Sequence, residues 1–441
     1  MTNQTPRQAG FAMPAEWAPH KRTWMMWPCR DEVWDDIEAT RRDYAAVAHA
    51  IREFEPVTVA ARPEDYEQAR AMLDADVEVI MADINDSWAR DAGPCFVTHA
   101  DGSRGGAQFR FNAWGGKYAP FDGDAGFSGR VTDKAGVRAF TSRLIAEGGG
   151  VSVDGEGTII TTDTCFPNPN RNPDWTKEAI TAELMEMLGG EKVIWLPGNP
   201  LEDETDGHVD GIAVFVAPGL VLMERPSGPD GEWNRHLQAN IDAMQGQTDA
   251  RGRPIRIVTV PEAVAAPSTH PKFCRSYINS YIVNGGIVMP VYGIEADTEV
   301  RNTFRELFPG RRVREVRIDN IAIGGGGYTF PRYVEAKYPG SDIHVVEIDP
   351  GVTNVAMNHM EMLPDTKIRT TNVDARQYLE TAPAGEKYNL ILGDAFNDFS
   401  VPFHLTTKEF TQLVADHMTD DGLYLANVID SGDAPFLSAY T

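Results

Sequence analysis

Short β-branched runs alternate with longer amphipathic ones through the first two thirds of the chain. The run VTVAA that begins at Val57, with VEVIM (77–81), AQFRF (107–111), TIITT (158–162), KVIWL (192–196), IAVFVA (212–217) and RIVTV (256–260), has the length and composition of strands. Each is bounded by Gly, Pro or Asp. Between them, DDIEATRRDYAAVAHAIREF (35–54) and TKEAITAELMEMLGG (176–190) place apolar residues at helical spacing, the second closed by a Gly–Gly stop. The alternation predicts an α/β fold, although periodicity alone does not arrange the units.

From Ile318 onward the pattern becomes a plain β–α–β progression. DNIAIGGGG is a strand entering a glycine turn, PRYVEAKYPG a helix with a glycine stop, and DIHVVEIDP a second strand ending in acids. KIRTTNVDA, YNLILGDAF and GLYLANVID supply three further strands with acidic ends. A nucleotide-binding parallel sheet has this texture.

Composition narrows the class. A length of 441 residues favours roughly two or three domains. The 42% hydrophobic and 24% charged content is ordinary for a globular chain and excludes wholesale disorder. Acidic residues (65) outnumber basic ones (40), and the net charge of −25 opposes nucleic-acid binding and suits cationic ligands. The four cysteines (Cys29, Cys95, Cys165 and Cys274) form no CxxC pair, so neither a disulfide framework nor a metal site is expected. The start, MTNQTPRQAGFAMPAEW, has no basic segment followed by an apolar core, and the longest apolar stretch, Gly211 to Met223, is broken at Pro218–Gly219. These features predict a cytoplasmic protein without a membrane partner, and leave a homo-oligomer open.

The words that carry chemistry are FAMPAEWAPHKRTWMMW (11–27), NDSWARDAGP (85–94), FNAWGGKY (111–118), EGGGVSVDGEG (147–157), NPNRNP (168–173), DETDGHVDG (203–211) and SYINSYIVNGG (276–286). In this order they resemble the agmatine deiminases, with the bacterial peptidyl-arginine deiminases as close relatives, across nearly all of 11–323. Within that group, DETDGHVDG and NPNRNP look more like the agmatine enzymes. The resemblance implies an α/β propeller of five ββαβ-type units around a central pocket, with the last unit incomplete here. It also implies a reaction of polyamine (putrescine) biosynthesis: agmatine and water give N-carbamoylputrescine and ammonia, without metal or cofactor.

Residue types fit that substrate, a planar guanidinium on a butyl amine stem. Asp91, in WARD, and Asp210, in GHVD, match the family's guanidinium clamps, since carboxylates hold such a cation by charge-assisted hydrogen bonds. Trp88 and Trp114 match its aromatic walls, which stack on a delocalised cation. His208 stands two residues from Asp210, so on a strand both would share a face, and it matches the general acid/base. Glu147 matches the acid of the family's EGG word. Singly, each residue has an ordinary use: Asp91 can pair with Arg90, His208 can be a buried hydrogen-bonding group, and both tryptophans can be core. The ordered set favours the binding site.

The family's nucleophile is a cysteine thiolate a few residues past a glycine cluster, in a word like GGGNIHCIT. This chain reaches IAIGGGG (321–327) and continues YTFPRY, so without gaps Thr329 takes the place of the histidine and Phe330 that of the cysteine. A phenyl ring is no nucleophile. Cys95, just past RDAGP, and Cys165, after the EGGG strand, are the alternatives, and a small buried apolar role is expected for all four thiols. The expectation is a pocket that recognises guanidinium without turning it over. Loss of the family's last segment would expose a sheet edge or apolar surface.

Residues 321–430 resemble a spermidine-synthase-type aminopropyltransferase, which gives domains at 1–323 and 319–441, the second a partial doubly wound Rossmann-like unit, cut short at its C-terminal end. The resemblance implies binding of S-adenosylmethionine or its decarboxylated form. Gly324 and Gly326 would lie against the nucleoside, Glu347 or Asp349 would take the ribose hydroxyls, and Asp374 (NVDARQYL) and Asp394 (LILGDAFND) would complete the site. The DAFND word departs from the family's DSSD-type word, which weakens the amine-acceptor role of Asp394. The halves meet within one glycine word and no linker separates them. A chimeric join at that common stretch therefore ranks above a functional fusion, which would keep the nucleophile and a tether. The competing functions are a non-catalytic guanidinium or polyamine binder and a transferase working through the second half.

Overall fold

A computed structural model describes residues 4–30, 33–34, 36–202, 204–228, 230–266, 274–318, 342–347, 368–382, 387–393, 405 and 407–426. The chain divides into two compact units, Met1–Gly325 and Gly326–Thr441.

Four sheets of the first unit share one plan, in which a hairpin is followed by a helix and a strand that returns parallel. In chain order, Cys95–His99 pairs antiparallel with Arg104–Arg110, the helix Phe127–Ala135 crosses over, and Arg138–Ile145 joins in parallel. Ser152–Val153, Thr158–Thr162 and Lys192–Leu196 repeat this around the helix Lys177–Leu188. Ala213–Ala217, Leu220–Arg225 and Arg256–Pro261 do so around Glu232–Met244, and Tyr281–Val283, Gly286–Val291 and Arg312–Arg317 around Ala296–Leu307. The two later hairpins turn on Gly219 (φ 71°) and Gly285 (φ 75°), left-handed corners that a residue with a Cβ resists.

The fifth sheet differs. Thr23–Met26, Val57–Ala61 and Glu78–Met81 are all parallel, joined through the helices Ile37–Arg52 and Tyr66–Met72. The expectation that the last unit is cut short rests on residues past Ile318, which lie outside the described residues. The final hairpin–helix–strand, ending at Arg317, is whole, and the departure lies in the first sheet, whose connections are both helical crossovers.

Local chemistry sets the helix ends. The helix expected over 35–54 starts at Ile37 because Asp36 caps it, accepting from Ala39 N at 2.8 Å. The helix expected over 176–190 starts after Thr176, which caps Ala179 N, and stops at Gly189, where φ is 65°. Apolar residues gather beside the sheets: Ile159, Phe166, Leu184 and Leu188 under one, and Leu222, Ile287, Val300 and Phe304 between two others. A cavity of about 1490 Å³, lined in part by Asp91, His208 and Asp210, lies within this unit.

One buried carboxylate ties the first sheet to the last hairpin. Glu55 accepts from Thr23 Oγ1 at 2.6 Å and Asn284 N at 2.8 Å, and pairs with His20 Nδ1 at 3.0 Å. Asn284 also bonds both backbone groups of His20, at 2.9 Å each. Burial opposes ionisation, but His20 and the two donors hold Glu55 below the usual carboxylate range, and Glu55 in turn raises His20.

Described by itself, the second unit has two parallel strand pairs, His344–Val346 with Arg369–Thr371 and Tyr388–Gly393 with Met418–Ala426. The helices Ala375–Thr381 and Lys408–Asp416 pack around Leu379, Leu405, Phe410 and Val414. Parallel strands are usually covered on both faces, yet Leu390, Leu392 and Leu423 are exposed. The helix expected at PRYVEAKYPG and the strand at DNIAIGGGG lie outside the described residues. Among the described residues no helix is long and apolar enough to cross a membrane.

Glu55→Ala is expected to cost about 3–5 kcal/mol, as removal of one partner of a buried pair does. Urea unfolding between pH 3 and 8 would measure it. The contribution of Glu55 is complete above its unfolded value near pH 4.3 and is lost as pH falls through the depressed native value. That of His20 is complete below about pH 6.5 and fades as pH rises through its raised native value. Glu55→Gln should flatten both limbs.

Candidate active site

The site is built over a glycine turn. The strand Arg138–Ile145 delivers Glu147, and Gly148–Gly150 then wind into a single 3₁₀ turn. A Cβ on Gly149 would lie 2.5 Å from His208 Nδ1, 2.7 Å from Asp210 Oδ2 and 2.8 Å from Asp91 Oδ1. Three side chains thus close on the space that this glycine leaves, and its N–H donates to Asp91 Oδ1 at 3.0 Å. A Cβ on Gly150 would meet the Phe166 ring at 2.3 Å, so the turn tolerates no side chain there either.

Beneath it lies a fully buried ion pair. Arg171 Nε donates to both oxygens of Glu147, at 2.9 and 3.1 Å, and neither side chain has exposed surface. The other guanidinium nitrogens reach Asn170 Oδ1 (3.1 Å), Thr205 O (2.8 Å) and the Asp206 carboxylate. Asp206 stands in the left-handed region at φ 60° and also meets Lys117 Nζ at 2.8 Å. Glu202 holds the same loop, accepting from Glu204 N at 3.0 Å and Gly207 N at 2.8 Å.

His208 leaves that loop buried between two acids, with Nδ1 at 3.8 Å from Asp91 Oδ1 and Nε2 at 3.6 Å from Glu147 Oε2. Asp210 is half-buried two residues on. The expectation of a strand here is corrected: Val209–Gly211 is a 3₁₀ turn, and the strand begins only at Ala213. The turn still brings both side chains to Gly149. Trp88 borders the cavity, half-buried and stacked on Trp34 at 5.9 Å. Trp114 is more than a wall. Its indole N–H donates to Asp91 Oδ2 at 2.9 Å, while Phe111 and Tyr118 hold the ring edge-on. Its backbone is left-handed, as is that of Ala113, both at φ 54°, a conformation costing each of order 1–3 kcal/mol. Asn112 Oδ1 braces the bend by accepting from Gly115 N at 2.9 Å.

The electrostatics follow from burial and spacing. Burial disfavours the charged imidazole, but Asp91, Cys165 and Glu147 together hold His208 well above its ordinary value. Burial likewise opposes a charged Glu147, yet His208 and Arg171 keep it below the usual range. Asp210 goes the other way: burial, aided by Asp91 and opposed by His208 and Arg90, pushes it to about 6. The site therefore sets a proton donor, His208, between Asp91 and Glu147, and Asp91, His208 and Asp210 all line the cavity. Such an arrangement can hold a planar N–H-rich cation and pass a proton to a leaving amine or from a water.

Glu147, Cys165 and His208 bring donor atoms within 4.8 Å of one another, but Arg171 occupies both Glu147 oxygens, so the cluster is not a cation site. Burial pushes Cys95 and Cys274, which border the cavity, up to about 11, and raises Cys29 and Cys165 as well. At Cys165, His208 and Arg171 oppose that rise.

Thr329, Phe330, Gly324, Gly326, Asp349 and Asp394 lie outside the described residues. Glu347 follows the strand His344–Val346 and donates its N–H to Thr371 O at 3.1 Å. Asp374 is engaged as a helix cap: Oδ1 accepts from Arg376 N and Gln377 N, each at 3.0 Å. Sequence reasoning missed Arg171 and Asp206, although both sit in motif words it had singled out. A buried Glu147 needs a cation, and the arginine of NPNRNP was the signal.

Fold and site together define a guanidine-modifying enzyme class. The chain belongs to the Porphyromonas-type peptidyl-arginine deiminase family, which it matches over residues 12–329, and the family's agmatine deiminases hydrolyse a guanidino C–N bond. It is 41% identical to the agmatine deiminase of Stutzerimonas stutzeri over 349 residues, 73% of this chain and 94% of that one. It is 38% identical to that of Pseudomonas fluorescens, over 74% and 95% of the two chains. The structure of Enterococcus faecalis agmatine deiminase is similar with a TM-score of 0.68 at 30% identity, covering 72% of this chain and 93% of that one.

Arg171→Ala would leave the buried Glu147 with only the longer His208 contact at 3.6 Å and is expected to cost about 3–5 kcal/mol. Arg171→Lys, which keeps the charge but loses the fork, should recover part of that in a thermal melt.

Proposed function

We propose that the first unit is an agmatine-binding pocket of the deiminase type that holds its substrate without turning it over, because Phe330 stands where the family's nucleophile belongs. The observation that carries the recognition half is the closure of Asp91, His208 and Asp210 over Gly149, beside Trp88 and Trp114 in one cavity. Two observations support the catalytic half. All four thiols are shifted upward by burial, and the family match ends at residue 329, one position before Phe330. In the intact reaction the acids would hold the guanidinium, a thiolate would attack its carbon, His208 would protonate departing ammonia, and water would release N-carbamoylputrescine.

Purified full-length protein incubated with agmatine is expected to bind it by calorimetry and to yield no N-carbamoylputrescine by mass spectrometry. Phe330→Cys combined with Thr329→His should then restore product. Product from the unaltered chain that survives purification and disappears in His208→Ala would mean another nucleophile and sink the inactivity claim. Neither binding nor product would sink the pocket itself.

For the second unit the reading is a nucleoside-binding fragment of S-adenosylmethionine type. The parallel strand pairs and the position of Glu347 at a strand's carboxyl end support it, whereas the capping role of Asp374 does not. S-Adenosylmethionine should raise the melting temperature of the full chain, and Glu347→Ala should abolish that rise.

A further inference from the structure

A second pair of acids borders the same cavity, outside the cluster at Gly149. Glu224 lies near the end of the strand Leu220–Arg225, is only 3% exposed, and donates its N–H to Ile212 O at 3.1 Å, two residues from Asp210. In the parallel register Glu224 faces Val260, and Glu262 follows two residues later, so both side chains leave the sheet on one face. Both glutamates border the cavity. Trp233 Nε1 donates to Glu262 Oε2 at 3.1 Å. Among the described residues Glu224 Oε1, by contrast, has no hydrogen-bond partner of ordinary geometry, and neither has the neighbouring Ser276 Oγ. Buried polar atoms are rarely left so, and an acceptor with no donor, facing a cavity, points to a donor that arrives with a ligand.

We propose that Glu224 and Glu262 receive the terminal ammonium of a guanidine substrate with a free amine at its far end, and thereby select agmatine over arginine. This rests on the guanidine reading of the site around Gly149. An alkylammonium offers only N–H donors and a positive charge, which is what an unpartnered carboxylate oxygen beside a second carboxylate lacks. Arginine would bring its own carboxylate toward two others, and a peptidyl arginine would offer an uncharged amide there. Burial, and then the like charge of Glu262, push Glu224 well above the carboxylate range, with the Ser276 hydroxyl opposing. Glu262 is also raised by burial, with Arg275 opposing. The charges of Asp210 and Glu224 both act on Cys274, whose carbonyl accepts from the Tyr292 hydroxyl at 2.9 Å.

The test is calorimetry on the full chain with three probes: agmatine, 1-butylguanidine (the same stem without its amine) and arginine. Agmatine should bind at least about tenfold more tightly than either alternative. Glu224→Gln matches the protonated acid in shape, so the fold should persist. It should erase the preference for agmatine while leaving butylguanidine affinity unchanged, which also reports an intact pocket, and Glu262→Gln should erase part of it. Equal affinity for agmatine and butylguanidine in the unaltered chain, or a preference that survives Glu224→Gln, would overturn the proposal while the guanidine site stands. Failure of both guanidines to bind would overturn the two together.

Discussion

The carboxylate of Glu147 and the guanidinium of Arg171 are both wholly out of water, and neither tolerates that alone. Their pairing dictates much else. Arg171 has hydrogen bonds left over, so the backbone of Thr205 and the side chains of Asn170 and Asp206 must come to it. Those partners fix the loop that ends in His208. Burial opposes a charged Glu147, but His208 and Arg171 hold it below the usual range; burial likewise opposes a charged His208, and Asp91 first, then Cys165 and Glu147, raise it. A structural ion pair thus adds to the field that Asp91 sets at His208, and the loop's geometry and the site's chemistry are linked.

Steric economy completes the arrangement. Gly149 lets Asp91, His208 and Asp210 approach a common point, and its amide fixes one oxygen of Asp91. The other is fixed by the Trp114 indole, which can reach only because Ala113 and Trp114 adopt left-handed backbone. That strain is compensated locally by Asn112, which braces the bend from one side and bonds Asn170 O at 3.0 Å on the other. Asn170 also bonds Asp206 at 2.9 Å, so the strained tryptophan and the buried ion pair share a network.

What was legible in the sequence divides along physical lines. Strand and helix positions in the first unit emerged from local pattern, because β-branched runs and caps such as Asp36 and Thr176 act within a few residues. Asp91, Glu147, His208 and Asp210 were legible because their motif words place specific acids and a histidine together. The geometry of His208 and Asp210 was misread as a strand: alternation cannot distinguish two residues on a strand from the ends of a 3₁₀ turn. Arg171 was overlooked as a site residue, although its motif word was singled out, because an arginine is normally solvated and the tertiary demand of a buried Glu147 draws it inward. Trp114 as the holder of Asp91, and Glu224 as an acceptor without a donor, depend on contacts across 23 residues in one case and across a sheet in the other. No local signal encodes such contacts.

Every recognition element at Gly149 lies between Trp88 and Asp210, and each is held by partners inside the first unit. The nucleophile position lies more than a hundred residues further along the chain. The ion pair, the glycine turn and the indole bond are all made among residues 91–171, so none of these contacts uses the proposed nucleophile position. A deiminase that loses its thiolate loses the step that breaks the C–N bond, but not the charges and shape that select a guanidinium. On the proposed reading, binding and turnover are separable because buried electrostatics, rather than the reacting atom, hold the site in shape.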